Sequence, residues 1–247
     1  MTDTVQVDEI RRIDKKQAPA FATAEYRRFA ELLRGLEADE WTKPTECPRW
    51  DVRAMVAHVV GAAEANTVRK SMREMRRGKK VATEIGGELV DGMNEVQIRD
   101  RAGVPANELV ARLEQAAPKA IEFRRRTPGP MRLMRIPAPF VGKITMGYLV
   151  DVVYTRDVWM HRVDVARATG AELVLTAGHD GRVVADAVAE WADRHGKPFT
   201  LVLEGPAGGA YAKGSGGDEL RLDAVEFCRI VSGRGAGAGL LETKVVF

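Results

Sequence analysis

Apolar residues recur at helical spacing through most of the first 170 positions. Phe21, Ala24, Phe29, Leu32, Leu33 and Leu36 mark a helix over residues 20–36. After a loop at residues 44–51, Asp51 stands as the N-cap of a second helix whose inner face is Val52, Met55, Val56, Val59 and Ala63, with His58 beside it. The pattern predicts that this helix runs on into the basic stretch at residues 69–80, where charge density takes it out of the core; a solvated helix end is the plain reading, an anionic-ligand site the other. A short pattern follows through Leu89, Met93, Val96 and Ile98. Another amphipathic helix spans 107–126 on Leu109, Leu113, Ala117 and Ile121, with Pro118 placed to kink or divide it. Pro128, Pro130, Pro137 and Pro139 predict a crossover loop, and a long helix over about 143–169 ends at Gly170, a natural residue just past a helix C-terminus.

Beyond Gly170 the pattern changes. Residues 177–194 read as one more helix on Val183, Val184, Ala187, Val188 and Trp191, but 199–203 is a continuous apolar run with strand character. The glycine-rich 205–217, holding Tyr211, suits turns between short strands, and 220–222 fits a further strand. Asp223 opens a helix that stops at Ser232 and Gly233, and 240–247 alternates as a terminal strand would. The expectation is an α+β chain: a four-helix bundle over residues 1–171, then a small α+β domain over 172–247.

Composition narrows the class. The 247 residues are 45% hydrophobic and 30% charged, enough for one large core or two modest ones. With 38 basic against 35 acidic residues the net charge is only +3, which implies no nucleic-acid or membrane partner. The N-terminus lacks a basic region followed by an apolar one, and no apolar run approaches the length of a membrane span, so a soluble, cytoplasmic protein is expected. Cys47 and Cys228 are too few for a disulfide framework.

The long helix near residue 160 carries the candidate chemistry. Val150, Val153, Asp157, His161, Asp164 and Ala168 fall along one side of it, so a carboxylate and an imidazole share an otherwise apolar stripe. An unpaired carboxylate facing a core costs several kcal/mol, so Asp157 and His161, at i and i+4, either pair with each other or bind one cation. A third ligand would come from another helix, and His58 is the histidine set in a strong helical pattern. The plainer alternative is a buried Asp157–His161 pair and a separate His58. Asp164 is placed to orient a ligand histidine or to cap a polar pocket. His179 and His195 sit at helix ends, Cys228 reads as core, Cys47 lacks a neighbour that would activate it, and Trp50 and Trp159 read as packing residues. The glycine-rich stretch lacks a phosphate-loop spacing.

Three stretches carry a family likeness. Cys47-Pro-Arg-Trp-Asp-Val-Arg-Ala-Met-Val-Ala-His58, Arg156-Asp-Val-Trp-Met-His161-Arg-Val-Asp164, and Phe227-Cys-Arg-Ile-Val-Ser-Gly-Arg234 with the later Gly239-Leu-Leu resemble the mycothiol-dependent maleylpyruvate isomerase family. The resemblance implies a DinB-like four-helix bundle with a sterol-carrier-like C-terminal domain. It also implies a divalent metal, usually zinc, on His58, Asp157 and His161, and mycothiol as the thiol cosubstrate. In the isomerase, thiolate addition to the cis double bond of maleylpyruvate permits rotation, and elimination leaves the trans product. That enzyme has glutamate where this chain has Asp157, one methylene shorter. Arg234 best matches the arginine implicated in catalysis and thiol-cofactor use, with a structural salt-bridge role as its alternative. The leading reading is a metal-dependent, mycothiol-dependent isomerase or thiol S-transferase acting on a small electrophilic substrate. A non-catalytic binder of a metal, a thiol or an apolar ligand is the alternative from another class, metal-dependent hydrolysis is a third reading, and the sequence leaves oligomerisation open.

Overall fold

A computed structural model describes residues 4–138 and 140–247. The chain is α+β and forms two compact units, each assembled from separate stretches: one from the chain up to Ala18, Gly129–Met160 and Val174–Phe247, the other from Pro19–Pro128 and His161–Leu173. The division falls inside one continuous helix, between Met160 and His161.

The second unit is helical. It comprises α1 (Ala18–Arg34), α2 (Val52–Glu64), α3 (Val68–Ile85), α4 (Leu89–Arg99), α5 (Ala106–Arg125) and the later turns of the long helix. Asp51 caps α2 as expected, its Oδ1 accepting from the Ala54 N–H at 2.7 Å. The expected continuation of this helix into the basic run does not occur. α2 stops at Glu64, Asn66 donates back to the Ala63 carbonyl, and Thr67 starts α3 afresh by accepting from the Lys70 N–H at 3.2 Å. The basic helix is therefore a separate element whose buried positions, Gly78 and Ala82, are small and pack against α4. Pro118 lies within an undivided α5.

The other unit holds the strands β1 (Thr4–Gln6), β2 (Arg135–Ala138), β3 (Gly142–Thr145), β4 (Phe199–Glu204), β5 (Gly209–Lys213) and β6 (Asp218–Asp223). Its helices are α6 (Gly129–Arg132), α7 (Met146–Tyr148), the first turns of α8 (Tyr154–Thr169), α9 (Asp180–His195) and α10 (Ala224–Val231). The main sheet has the order β1-β5-β4-β6, with β4 antiparallel to β5 and the two outer pairings parallel.

Three expectations change here. The proline-rich stretch is not all loop, because β2 and β3 form an antiparallel hairpin with Pro137 opposite Lys143; a two-stranded ribbon is all edge, which tolerates a residue without an N–H. Pro139 lies outside the described residues. The long helix begins only after β3, as α7, and passes through a wider π-helical segment at Leu149–Val153 before α8. A π-helical segment turns less per residue than an α-helix, so the ideal spacing that carried the stripe back to Val150 does not hold there, while Val153 stands one turn before Asp157. Residues 240–247 form a short 3₁₀ turn and an extended tail, not a strand. The outer strand beside β5 is supplied by residues 4–6, while the tail is held by single bonds such as Val245 N–H to the Val231 carbonyl.

This unit is pinned by a buried charge cluster. Arg156, on the first turn of α8, has no exposed surface and donates to Glu190 and Asp186 of α9 at 2.6 Å each, to the Tyr148 hydroxyl at 3.0 Å and to the Val246 carbonyl at 3.1 Å. Asp186 also accepts from Arg12 at 3.0 Å and from the Ile13 N–H at 2.8 Å, which ties down the N-terminal arm. Burial pushes the Asp186 and Glu190 carboxyls upward, but Arg156, with Arg12 for one and Tyr148 and Arg194 for the other, outweighs burial and holds both below the usual range.

Removing one partner of such a cluster strands the remaining charges, so Arg156→Met is expected to cost about 3–5 kcal/mol, read from urea unfolding. Carboxylates held below their ordinary values stabilise the fold above their unfolded pKa, about 4, and lose that contribution as pH falls through the lower folded values. The wild-type melting temperature should therefore drop below about pH 4, and drop less in Arg156→Met, in thermal melts across the acid range. The expectation of consecutive domains at 1–171 and 172–247 concerns separable folding: we expect a fragment ending near Glu172 to keep its helical circular dichroism, and loss of that signal would exclude it.

Candidate metal centre

His58 sits on α2 between the buried Ala57 and Val59, and His161 on α8 between the buried Met160 and Arg162. Their rings meet edge to face with centroids 5.1 Å apart, and both are almost fully buried. Asp157 stands one turn before His161 on the same helix, so its place beside the imidazoles is set by α8 itself. One donor atom from each of His58, Asp157 and His161 lies within 4.8 Å of the others. Donors bound to one zinc ion, each roughly 2.0–2.2 Å away, are at most about 4.4 Å apart, so the side chains need only a small rotation to close on a cation. Two imidazoles and one carboxylate are a standard zinc donor set, and three protein ligands leave a position open. The residues fit a divalent metal.

Each histidine is oriented from behind. Gln97 Oε1 lies 2.7 Å from His58 Nδ1. Because that oxygen can only accept, Nδ1 carries the proton and Nε2 keeps its lone pair. Gln97 is held in turn by donating to Glu74 Oε1 at 2.5 Å, and burial pushes the Glu74 carboxyl upward. Asp164, buried, stands 3.1 Å from His161 Nδ1 and fixes that ring in the same tautomer, the orienting role its spacing suggested. Asp157 and His161 share the donor cluster, while Asp164 makes the Nδ1 contact to His161.

Gln97 reaches His58 only because α2 carries Gly61 at the crossing. A Cβ there would lie 2.5 Å from Gln97 Cβ and 2.9 Å from Arg101 Nη1. Trp50, expected to be a packing residue, is part of the centre: its ring lies 5.1 Å from His58 and 6.0 Å from His161, centroid to centroid. The preceding loop holds it there, the Trp50 N–H bonding to the Cys47 carbonyl at 2.8 Å and Thr45 Oγ1 to the Trp50 carbonyl at 2.7 Å. No local pattern marks Gln97, Glu74 or Trp50 as neighbours of His58, since their contacts are made by helix crossings and loop closure.

Arg234 lies in the unit that holds the sheet and is not a member of the three-donor cluster. It follows Gly233, whose φ of +92° closes α10 with two bonds, Gly233 N–H to the Ile230 carbonyl and Arg234 N–H to the Arg229 carbonyl. Its side chain is half-buried, with Nη1 3.4 Å from Ser232 Oγ. Three other candidates, His195, Cys228 and Trp159, have structural places. His195 packs on Trp191 and Phe199, with burial lowering its pKa, and Cys228 is fully buried, which pushes its thiol upward. Trp159 donates to Asp180 at 3.0 Å.

The protein is of the α+β class, with a helical unit and a second unit built on a four-stranded sheet. A family model described as the mycothiol maleylpyruvate isomerase N-terminal domain matches residues 22–166, more than half of the chain, and the protein belongs to this family. Two solved structures are similar over nearly their whole length: the mycothiol-dependent maleylpyruvate isomerase, covering 95% of this chain and 94% of its own, and a histidine-to-alanine mutant of that isomerase, covering 94% and 93%. Both are 16% identical with a TM-score of 0.56, a likeness of fold. The comparison with curated proteins finds no match. No helix among the described residues is long and apolar enough to cross a membrane.

If Gln97 sets the tautomer of His58, the nitrogen NMR signals of that ring in metal-free protein should report a protonated Nδ1. Gln97→Leu, similar in volume but without the acceptor, should shift population to the Nε2–H form. Gly61→Ala should produce the same shift and cost about 1–3 kcal/mol through overpacking. An unchanged tautomer in both variants would remove Gln97 from this role.

Proposed function

We propose that the protein is a metal-dependent, mycothiol-dependent isomerase or thiol S-transferase acting on a small electrophilic substrate, with His58, Asp157 and His161 as the ligands of one divalent ion, most suitably zinc. The observation that carries the metal assignment is the convergence of these three donors, two of them buried, in a chain of the maleylpyruvate isomerase family. A divalent ion at such a centre supplies Lewis acidity and lowers the pKa of a thiol that reaches it.

The chain's own residues prepare the centre. Gln97 and Asp164 hold protons on the Nδ1 atoms, so both imidazoles present their Nε2 lone pairs in fixed orientations. Trp50 lies against both rings and keeps water from that side of them. Asp157 adds the negative charge that makes the donor set attractive to a cation. Arg156, adjacent to Asp157, anchors the first turn of α8 through four partners, so the carboxylate is held on a rigid element. Arg234 is proposed to contact mycothiol, because a guanidinium can engage several sugar or amide oxygens at once.

Elemental analysis of purified protein should find about one divalent ion per chain, and His58→Ala and His161→Ala should lose it under mild chelation. Wild-type metal content in both variants would exclude the ligand set. Turnover of maleylpyruvate measured with and without mycothiol tests the activity, and turnover independent of added mycothiol would exclude the thiol-dependent reading. Arg234→Ala should leave metal content and melting temperature unchanged while raising the KM for mycothiol roughly tenfold or more, the cost of a charge-assisted hydrogen bond. A lower melting temperature with unaltered thiol use would identify Arg234 as a helix-end residue only.

A further inference from the structure

The basic helix α3 is absorbed neither by the core nor by the metal centre. It borders a cleft of about 420 Å³ wholly within the helical unit, formed with the end of α2, α4 and α5. Lys70, Arg73 and Arg77 line it from α3, at i, i+3 and i+7 on one face. Arg112 and Lys119, again seven residues apart, line it from α5. The floor is apolar, made of Gly61, Ala65, Val96 and Ala116.

The acidic groups of the cleft are already engaged. Asp100 is bonded through both oxygens to Arg77, Glu64 to Arg101, and Glu74 to Gln97. Burial pushes the Glu74 carboxyl toward its neutral form. Arg112 is occupied by Glu108, outside the cleft, while Arg73 and Lys119 make no ion pair among the described residues. Six cationic side chains, counting Arg101, against three acidic ones leave an excess positive charge around a concave apolar floor, and a concave wall concentrates that field. A cavity of this size suits a small molecule. Solvation alone accounts for a charged helix face, but not for two helices turning cations toward one apolar-floored cleft.

We propose that this cleft is a second binding site, distinct from the metal centre, for a small organic anion with two acidic groups on an apolar body. The acidic groups pair with Arg73 of α3 and Lys119 of α5, and the body covers Val96 and Ala116. The site does not depend on the metal assignment, although Glu74, the outer member of the hydrogen-bond chain to His58, forms part of its wall.

Titration calorimetry with phthalate, a flat dicarboxylate, tests the proposal, with phthalamide as its neutral counterpart. We expect saturable binding of one phthalate per chain, weakened by added salt, and no binding of phthalamide. Arg73→Gln/Lys119→Gln should weaken phthalate about tenfold or more, whereas Arg76→Gln/Lys80→Gln, removing the same charge from α3 outside the cleft, should change it less than about twofold. His58→Ala should bind phthalate like the wild type. Thermal melts establish that each variant is folded, and the single Lys119→Gln replaces the double variant if that one is not. Absent or multi-site binding, equal weakening by the two double variants, or loss of binding in His58→Ala would each overturn the proposal, the last by placing the anion at the metal centre.

Discussion

A guanidinium with no access to water must have its charge compensated or it unfolds its surroundings, and Arg156 sets that requirement for one whole unit of this protein. Two carboxylates of α9, the Tyr148 hydroxyl and the carbonyl of Val246 engage both terminal nitrogens, while Nε is buried without a hydrogen-bond partner. Through Asp186 the same cluster recruits Arg12 and Ile13, so segments far apart in sequence, from the N-terminal arm to the last residues, converge on one charge. Hydrophobic packing is non-directional and would tolerate α8 sliding along its neighbours; a network of fixed bond directions does not. Because Asp157 is the next residue, the constraint that stabilises the unit also defines where the carboxylate of the candidate metal centre stands.

The centre itself relies on support from behind its donors. A histidine can bind a metal through either nitrogen, and an acceptor at Nδ1 settles which one. Here the acceptor is an amide oxygen for one ring and a carboxylate for the other, so one imidazole is backed by a neutral group and the other by an acidic one. Gly61 is the steric condition for this arrangement on the His58 side, because only a residue without a Cβ lets Gln97 pass close enough to α2. A single missing methyl group therefore controls the chemistry of an imidazole one turn away.

Much of this was legible along the chain. The 3.6-residue periodicity identified the helices of the bundle, Asp51 and Asp223 marked two helix starts whose capping bonds are present, and Gly170 and Gly233 marked helix ends where both adopt positive φ. The i, i+4 placement of Asp157 and His161 on an apolar stripe, with His58 on a second helix, left a shared cation or a buried pair open and Asp164 as an orienting or capping residue; the structure brings the three donor atoms together and sets Asp164 against His161. These features were readable because each depends on residues within one or two turns of one another.

What the tertiary structure alone decided involves partners far apart in sequence or backbone states that periodicity does not encode. The break between α2 and α3 rests on the turn at residues 65–67, where Asn66 and Thr67 make side-chain bonds that apolar spacing does not reveal. The π-helical segment before α8 interrupts the 3.6-residue spacing, and the sheet takes its outer strand from residues 4–6, leaving residues 240–247 as a tail. Gln97, Glu74 and Trp50 meet His58 only through a helix crossing and a closed loop. Local sequence determines which residue types share a helix face, because that geometry is set by the rise and rotation per residue; which faces then meet is set by packing, and no local rule carries that information.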